Sequence, residues 1–330
     1  PPTATGAQDL IALPANLAME PWGHQREGYE FGMRSLRQYN AVLLAAQMGV
    51  GKTFVATMLA LGRGHRFILV VCPLRVIASW QKQLSEYIKG ASVVVGLDDR
   101  LTTSRRRELA EAKIQLARVT GAPFFCLINY DSFWRGDLAE WLLSVRWGAV
   151  IYDESHKLKS PGGRASMMAK RLLACTKDRI LATGTPLAHS PLDIYGQFRA
   201  AAPFVFGSSY AAFKQRYAKM GGPDKKWITG YQNLDVLEGK MAPYTWRKTK
   251  AEALPYLPSE TDVEYTTEFQ PETYRIYNEL FKDMIADVQG QVLTAANAMT
   301  KVLRLQQICG GSVPTDDGTH HQVDNCKEKL

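Results

Sequence analysis

The chain has 330 residues, of which 46% are hydrophobic, 10% aromatic and 22% charged, and 40 Lys and Arg against 32 Asp and Glu leave a net charge of +8. These proportions exclude a disordered, collagenous or coiled-coil chain, and the length suits one large or two modest domains. No apolar run nears the ~20 residues of a membrane-crossing helix, so no membrane association is expected, and the basic balance suits a polyanionic partner without requiring one.

The start, Pro1-Pro-Thr-Ala-Thr-Gly6, lacks the basic and apolar regions of a secretory signal. Five scattered cysteines (Cys72, Cys126, Cys175, Cys309 and Cys326) suit reduced thiols better than a disulfide framework. The expected location is cytoplasmic, on a bacterial or phage nucleoid, or nuclear in a eukaryote. From Ala41 to Thr183 short apolar runs alternate with segments of helical period, the pattern of a parallel α/β sheet. The predicted strands are Ala41–Ala46, Phe67–Val71, Ser92–Val95, Phe124–Ile128, Trp147–Ile151 and Arg179–Thr183. The predicted crossover helices are Thr53–Leu61, Val76–Ile88, Arg105–Arg118 and Leu138–Val145. After Pro191 the pattern becomes mainly helical, broken at Gly221-Gly-Pro223 and Pro255-Tyr-Leu-Pro258, with one strand-like stretch at Thr261–Phe269. Amphipathic segments follow Pro271 and run from Val292 to Ile308, and Gly310 to Asn325 reads as a linker.

The strongest local signal is Ala46-Gln-Met48-Gly49-Val50-Gly51-Lys52-Thr53, which follows a predicted strand and opens a predicted helix. A P-loop requires that context: two glycines let backbone N–H groups approach phosphate oxygens at a helix N-terminus, where the dipole favours negative charge. In such a loop Lys52 pairs with the β and γ phosphates and Thr53 ligates Mg²⁺. Downstream, Val150-Ile-Tyr-Asp153-Glu154-Ser-His156 ends an apolar strand in adjacent carboxylates. That is a Walker-B arrangement, with Asp153 for Mg²⁺ and Glu154 to orient and deprotonate a water. Leu181-Ala-Thr183-Gly-Thr185-Pro186 ends the next strand, and its hydroxyls are placed to hydrogen-bond the Asp-Glu-Ser-His turn. Without the P-loop the carboxylate pair reads as a solvated turn, and on spacing alone this Thr-Gly-Thr loop reads equally well as a plain turn.

These motifs in this order resemble the first motor lobe of superfamily-two helicase-like ATPases, specifically the Swi/Snf (Snf-two) group of DNA translocases. Trp22-Gly-His-Gln25-Arg-Glu-Gly28 is similar to the group's Q motif, in which the glutamine reads adenine. Val71-Cys-Pro73-Leu-Arg75 through Trp80 resembles motif Ia, Ile128-Asn129-Tyr130-Asp131 motif Ib, and Thr183-Gly-Thr-Pro186 motif III. Leu187 to Tyr217, Trp246-Arg-Lys-Thr-Lys250 through Leu257-Pro258, Tyr274 to Tyr277 and Leu303-Arg-Leu-Gln-Gln-Ile308 resemble the segments that follow, so the likeness covers nearly the whole chain. The resemblance implies an α/β fold, a RecA-like P-loop NTPase lobe with a parallel sheet plus a mainly helical protrusion. It divides the chain into lobe 1 (1–190), protrusion and return helices (191–309), and a linker with the start of a second lobe (310–330).

For function it implies ATP and Mg²⁺, with Lys52, Asp153 and Glu154 catalytic, and Gln25, Met48, Gly49, Val50, Gly51, Lys52 and Thr53 around the nucleotide. His156, Thr183 and Thr185 would couple the sites, and Pro73, Arg75, Asn129 and Tyr130 would meet the backbone of duplex DNA independently of its sequence. The basic runs Arg100–Arg107 and Arg247–Lys250 read equally as solvated faces, and His320, His321 and Cys326 lack the spacing of a zinc site. The chain departs from the group in carrying Ala46-Gln47 where Asp-Glu is usual. A second RecA-like lobe with its arginine fingers is not among the 330 residues, and such arginines contribute roughly 10³–10⁵ in rate, so nucleotide binding with very slow turnover is expected of this chain. The leading expectation is an ATP-driven duplex translocase. A strand-separating helicase or a non-catalytic nucleotide-dependent DNA-binding module are the alternatives.

Overall fold

Each of the six apolar runs between Ala41 and Thr183 forms a strand, and each predicted crossover segment forms a helix. The computed structural model describes residues 11–97, 101–222, 224, 227–257 and 263–329. In chain order the elements to Ala182 are α1 (Gly23–Tyr39), β1 (Ala41–Ala46), α2 (Lys52–Gly62), β2 (Phe67–Cys72), α3 (Ile77–Tyr87), β3 (Val93–Leu97), α4 (Thr103–Thr120), β4 (Phe124–Asn129), α5 (Gly136–Ser144), β5 (Trp147–Asp153), α6 (Arg164–Leu172) and β6 (Thr176–Ala182). There follow α7 (Ile194–Ala201), α8 (Tyr210–Tyr217), β7 (Ala218–Gly221), β8 (Trp227–Tyr231), α9 (Leu234–Met241), β9 (Thr245–Lys248) and α10 (Lys250–Ala253). A seven-stranded parallel sheet in the order β3-β4-β2-β5-β6-β1-β9 is the centre of this unit, a RecA-like α/β fold.

Strand alternation sends neighbouring residues to opposite faces, and both faces are covered. On one face Leu43, Leu69, Phe124, Val150 and Leu181 meet the apolar sides of α4 to α9. On the other Val42, Ile68, Phe125, Ile151 and Ile180 meet α1, α2 and α3. Because all strands run the same way, their carboxyl ends, Ala46, Cys72, Asn129, Asp153 and Ala182, lie along one edge, where an open α/β sheet carries its site.

The second half holds more β structure than the sequence suggested. β7 and β8 pair as an antiparallel hairpin, and β9 returns to the edge of the sheet with Ala46 in register with Lys248. The compact unit that contains the sheet reaches Leu257, so residues 191–257 belong with it, and the remainder forms a second unit. That unit comprises α11 (Pro271–Asp283), β10 (Ile285–Val288), β11 (Gln291–Thr294), α12 (Ala298–Cys309), β12 (Ser312–Pro314) and β13 (His320–Gln322). The expected strand over Thr261–Phe269 is not formed among its described residues, 263–269. The expected helix from Val292 starts only after β11, at Ala298, where Asn297 caps it by accepting from Thr300 N–H at 2.9 Å. The expected linker contains the β12–β13 hairpin, anchored by the fully buried Val313. Pro1–Gly6, Arg100, Pro223, Pro258 and Leu330 lie outside the described residues. Among the described residues no helix is long and apolar enough to cross a membrane.

Candidate functional site: a P-loop cleft at the carboxyl edge of the sheet

β1 ends at Ala46, and after five intervening residues α2 begins at Lys52. The turn needs φ of +84° at Gly49 and +92° at Gly51, a region open to glycine and costly for other residues. A Cβ on Gly51 would also overlap the Gln25 amide, which packs against the loop. Gln25 is buried and accepts from Trp22 N–H at 3.0 Å, and His24 Nε2 lies 3.0 Å from Val50 O, so the start of α1 braces the loop from outside. Val50 is fully buried and Met48 is exposed. The Lys52 ammonium donates to Ala46 O at 2.7 Å and Gln47 O at 3.2 Å. Burial lowers the Lys52 pKa, while the charges of Glu154 and Asp153 act to raise it.

Asp153 closes β5. Its Oδ2 accepts from the Trp80 indole N–H at 2.8 Å and its Oδ1 from Glu154 N–H at 3.1 Å. Burial raises the Asp153 pKa against the Trp80 bond, and the Glu154 charge adds to the rise. Glu154 itself sits at φ 52°, ψ 52°, a left-handed conformation that a non-glycine residue keeps only when its surroundings hold it. Its Oε2 accepts from Thr183 Oγ1 at 3.2 Å and lies 3.1 Å from His156 Nδ1, and Thr183 Oγ1 also accepts from Thr185 N–H at 3.2 Å. Thus Glu154, His156, Thr183 and Thr185 form one cluster.

Lys52, Thr53, Asp153 and Glu154 line a single cleft of about 360 Å³, whose opposite wall is α3 through Trp80 and Tyr87. A hydroxyl and a carboxylate beside a lysine and a helix N-terminus are a donor set suited to a hard divalent cation carrying phosphate oxygens. The residues present therefore suit a Mg²⁺–nucleotide pair.

The predicted nucleic-acid residues separate. Pro73 and Arg75 lie in the turn after β2, and the Arg75 side chain is exposed. Asn129 and Tyr130 are only 4% and 6% exposed, and the Tyr130 hydroxyl donates to Asp153 O at 2.8 Å. Both side chains are thus buried rather than open to a phosphate backbone. In the arginine run, Arg105 pairs with Glu108 at 2.6 Å, Arg107 with Glu111 at 2.9 Å, and Arg106 donates to Leu101 O at 2.8 Å. In the other run Lys248 pairs with Glu27 at 2.8 Å and Arg247 lies 3.5 Å from Glu238.

Two residues at the site have roles that the sequence alone does not reveal. Trp80 lies in the motif Ia segment, but a tryptophan at helical spacing reads as core. Gln197, on α7, is fully buried. It accepts from Ser155 Oγ at 2.9 Å and donates to Pro186 O at 2.7 Å, so it ties the carboxylate turn to the Thr-Gly-Thr-Pro loop. Nothing local marks it, because its partners are distant in sequence.

Known proteins resemble this chain in sequence and in fold. The chain is 26% identical over 281 residues to mouse chromodomain-helicase-DNA-binding protein 1-like, covering 77% of this chain and 29% of that protein. It is 27% identical over 230 residues to DNA repair and recombination protein RAD54-like of Drosophila yakuba, covering 66% of this chain and 28% of that protein. It is 24% identical over 322 residues to the SWI/SNF-related matrix-associated actin-dependent regulator of chromatin subfamily A-like protein 1 of Drosophila melanogaster, covering 94% and 40% respectively. The chain thus spans well under half the length of these relatives. In fold it is similar to the SWI2/SNF2 ATPase core of Sulfolobus solfataricus, solved in complex with dsDNA, with a TM-score of 0.59 at 21% identity over 90% of this chain and 60% of that one. Residues 24–312 match the SNF2-related domain, and the chain belongs to that family.

Proposed function

We propose that this chain is the ATP-binding half of an ATP-driven motor that moves along duplex DNA. The observation that carries the reading is the convergence of Lys52, Thr53, Asp153 and Glu154 on one cleft at the sheet edge, with Glu154 held by Thr183 and His156. In this reading the loop N–H groups and Lys52 bind the ATP phosphates, and Lys52 exchanges its bonds to Ala46 O and Gln47 O for phosphate oxygens. Thr53 and Asp153 hold Mg²⁺, which offsets charge on the phosphates when bound. Glu154 orients a water for attack on the γ-phosphate and takes its proton. Trp22, 57% exposed beside a cleft of about 310 Å³ shared with Glu27 and Lys248, offers its ring to the adenine next to Gln25.

Coupling to DNA runs from Glu154 through Thr183 and Thr185 to the turns at the same edge, where Arg75 reaches the duplex backbone. A relative's core solved on dsDNA supports duplex as the partner. Fast turnover requires a second motor lobe that supplies arginine to the transition state. The experiment is nucleotide binding and turnover on the same samples, with and without duplex DNA, for the chain alone and joined to a second lobe. Binding by the chain, loss of about a hundredfold in affinity in Lys52→Ala, and duplex-stimulated turnover only in the two-lobed protein are expected. Unchanged affinity in Lys52→Ala sinks the phosphate assignment, and strand separation during turnover favours the helicase alternative.

A further inference from the structure

The five cysteines are all free, and they divide by environment. Cys72, Cys126 and Cys175 are buried, whereas Cys309 and Cys326 are partly exposed. Burial raises the thiols of the first three above their ordinary range, which keeps them protonated and poorly reactive.

Cys309 is the last residue of α12, and Cys326 opens the short helical turn Cys326–Lys329. Between them the β12–β13 hairpin pairs Ser312 with Gln322 and Val313 with His321. At the open end of the hairpin Gly311 O accepts from both Val323 N–H at 2.9 Å and Asp324 N–H at 3.2 Å. Gly311, two residues after Cys309, is thus bonded to Asp324, two residues before Cys326. Both cysteines also line one cavity of about 240 Å³, with Asp324 and Lys327 beside them. The turn that carries Cys326 is anchored, since Cys326 N–H donates to Asp324 Oδ1 at 2.8 Å and Gln270 N–H to Asp324 Oδ2 at 3.1 Å.

We propose that Cys309 and Cys326 are a redox-active pair that closes to a reversible disulfide by exchange with a small-molecule disulfide of the glutathione class. The thiolate of one cysteine attacks a sulfur of the oxidant, forming a mixed disulfide and releasing one thiol. The thiolate of the other then attacks the protein sulfur of that mixed disulfide and releases the second thiol. Two protein thiols are oxidised, the S–S bond of the oxidant is reduced, and the two protons end on the released thiols. The new bond clips the end of α12 to the turn at Cys326 and closes the hairpin's open end.

The test is incubation of the chain, natively folded, across a series of reduced-to-oxidised glutathione ratios, followed by alkylation, intact mass and peptide mapping. The expected product is monomeric, lighter than the reduced chain by two hydrogens, joined between the Cys309 and Cys326 peptides, and fully reversed by dithiothreitol. Cys309→Ser and Cys326→Ser are each expected to hold a glutathione adduct on the remaining partner instead. The proposal is overturned if the native chain keeps a glutathione adduct where the serine variants do, keeps five free thiols at every ratio, or links to a buried cysteine or to a second chain.

Discussion

Asp178, at the end of the sheet away from the cleft, shows how much one buried carboxylate carries. Its side chain is fully buried, and Oδ2 accepts from His65 Nε2 at 2.6 Å and Arg63 Nε at 2.7 Å. Burial acts to raise its pKa, but the hydrogen bonds from His65 and Arg63 outweigh it and hold the carboxyl below its ordinary value. A carboxyl lowered on folding contributes stability that is complete above the ordinary value of roughly 3.9 and is lost as pH falls through the lower folded value. Asp178→Asn leaves a half-buried guanidinium without its countercharge, and is expected to cost about 3 kcal/mol near neutral pH. Urea unfolding from pH 3 to 7 checks this: the variant should lose the acid-dependent part of the wild-type profile. Trp80 acts at the same scale in the cleft. Its indole N–H opposes the burial that raises Asp153, so Trp80→Phe is expected to raise that carboxyl further and weaken Mg²⁺-dependent nucleotide binding about tenfold. The loss should grow as the pH is lowered, because a raised carboxyl is protonated sooner, and a loss uniform with pH would point to packing alone.

Among the elements, α7 fastens the carboxylate turn in two ways. Gln197 bridges Ser155 and Pro186, and Gly196 lets the helix approach so closely that a Cβ there would overlap the Leu158 carbonyl and lie 2.7 Å from Lys159 O. Backbone presses on that position from the neighbouring turn and cannot yield as a side chain would. Gly196→Ala is therefore expected to cost about 3 kcal/mol, read by denaturant unfolding, with the Glu154 turn displaced. How far the elements could be read in advance follows from their length. β1, β2, β4 and β5 are runs of six or seven mostly buried residues, and a largely apolar run between helical segments announces a parallel strand. The P-loop and the carboxylate pair were legible because their chemistry is local to the ends of such strands. β7, β9, β10 and β11 have four residues each, too few for a period to show, and β9 joins the sheet through register with β1, which no neighbouring residue encodes. The burial of Asn129 and Tyr130 was illegible for a related reason. A motif gives the order of residues at the end of β4 but not what packs on them, and both side chains are buried, with the Tyr130 hydroxyl on Asp153 O.

At the scale of the whole molecule the two units differ in how much core they command. Residues 11–257 bury both faces of a seven-stranded sheet, whereas the core of the second unit holds, among the described residues, eight buried apolar side chains that include Ile276, Leu280, Val288 and Ile308. A unit of ~70 residues with so small a core gains correspondingly little from burial. Its amides are expected to exchange with solvent faster than those of the sheet, and its unfolding should precede that of the sheet in a denaturant titration followed residue by residue. Every side chain assigned to the nucleotide lies at or before Thr185, and every strand of the sheet ends by Lys248. A chain ending at Leu257 should therefore fold and bind nucleotide within about threefold of the 330-residue chain, since all the contacts that RT ln Kd reports for the phosphates remain in place. Calorimetric titration with a non-hydrolysable ATP analogue on both chains decides it. A loss of more than about tenfold, about 1.4 kcal/mol, would mean that the second unit contributes to the cleft itself.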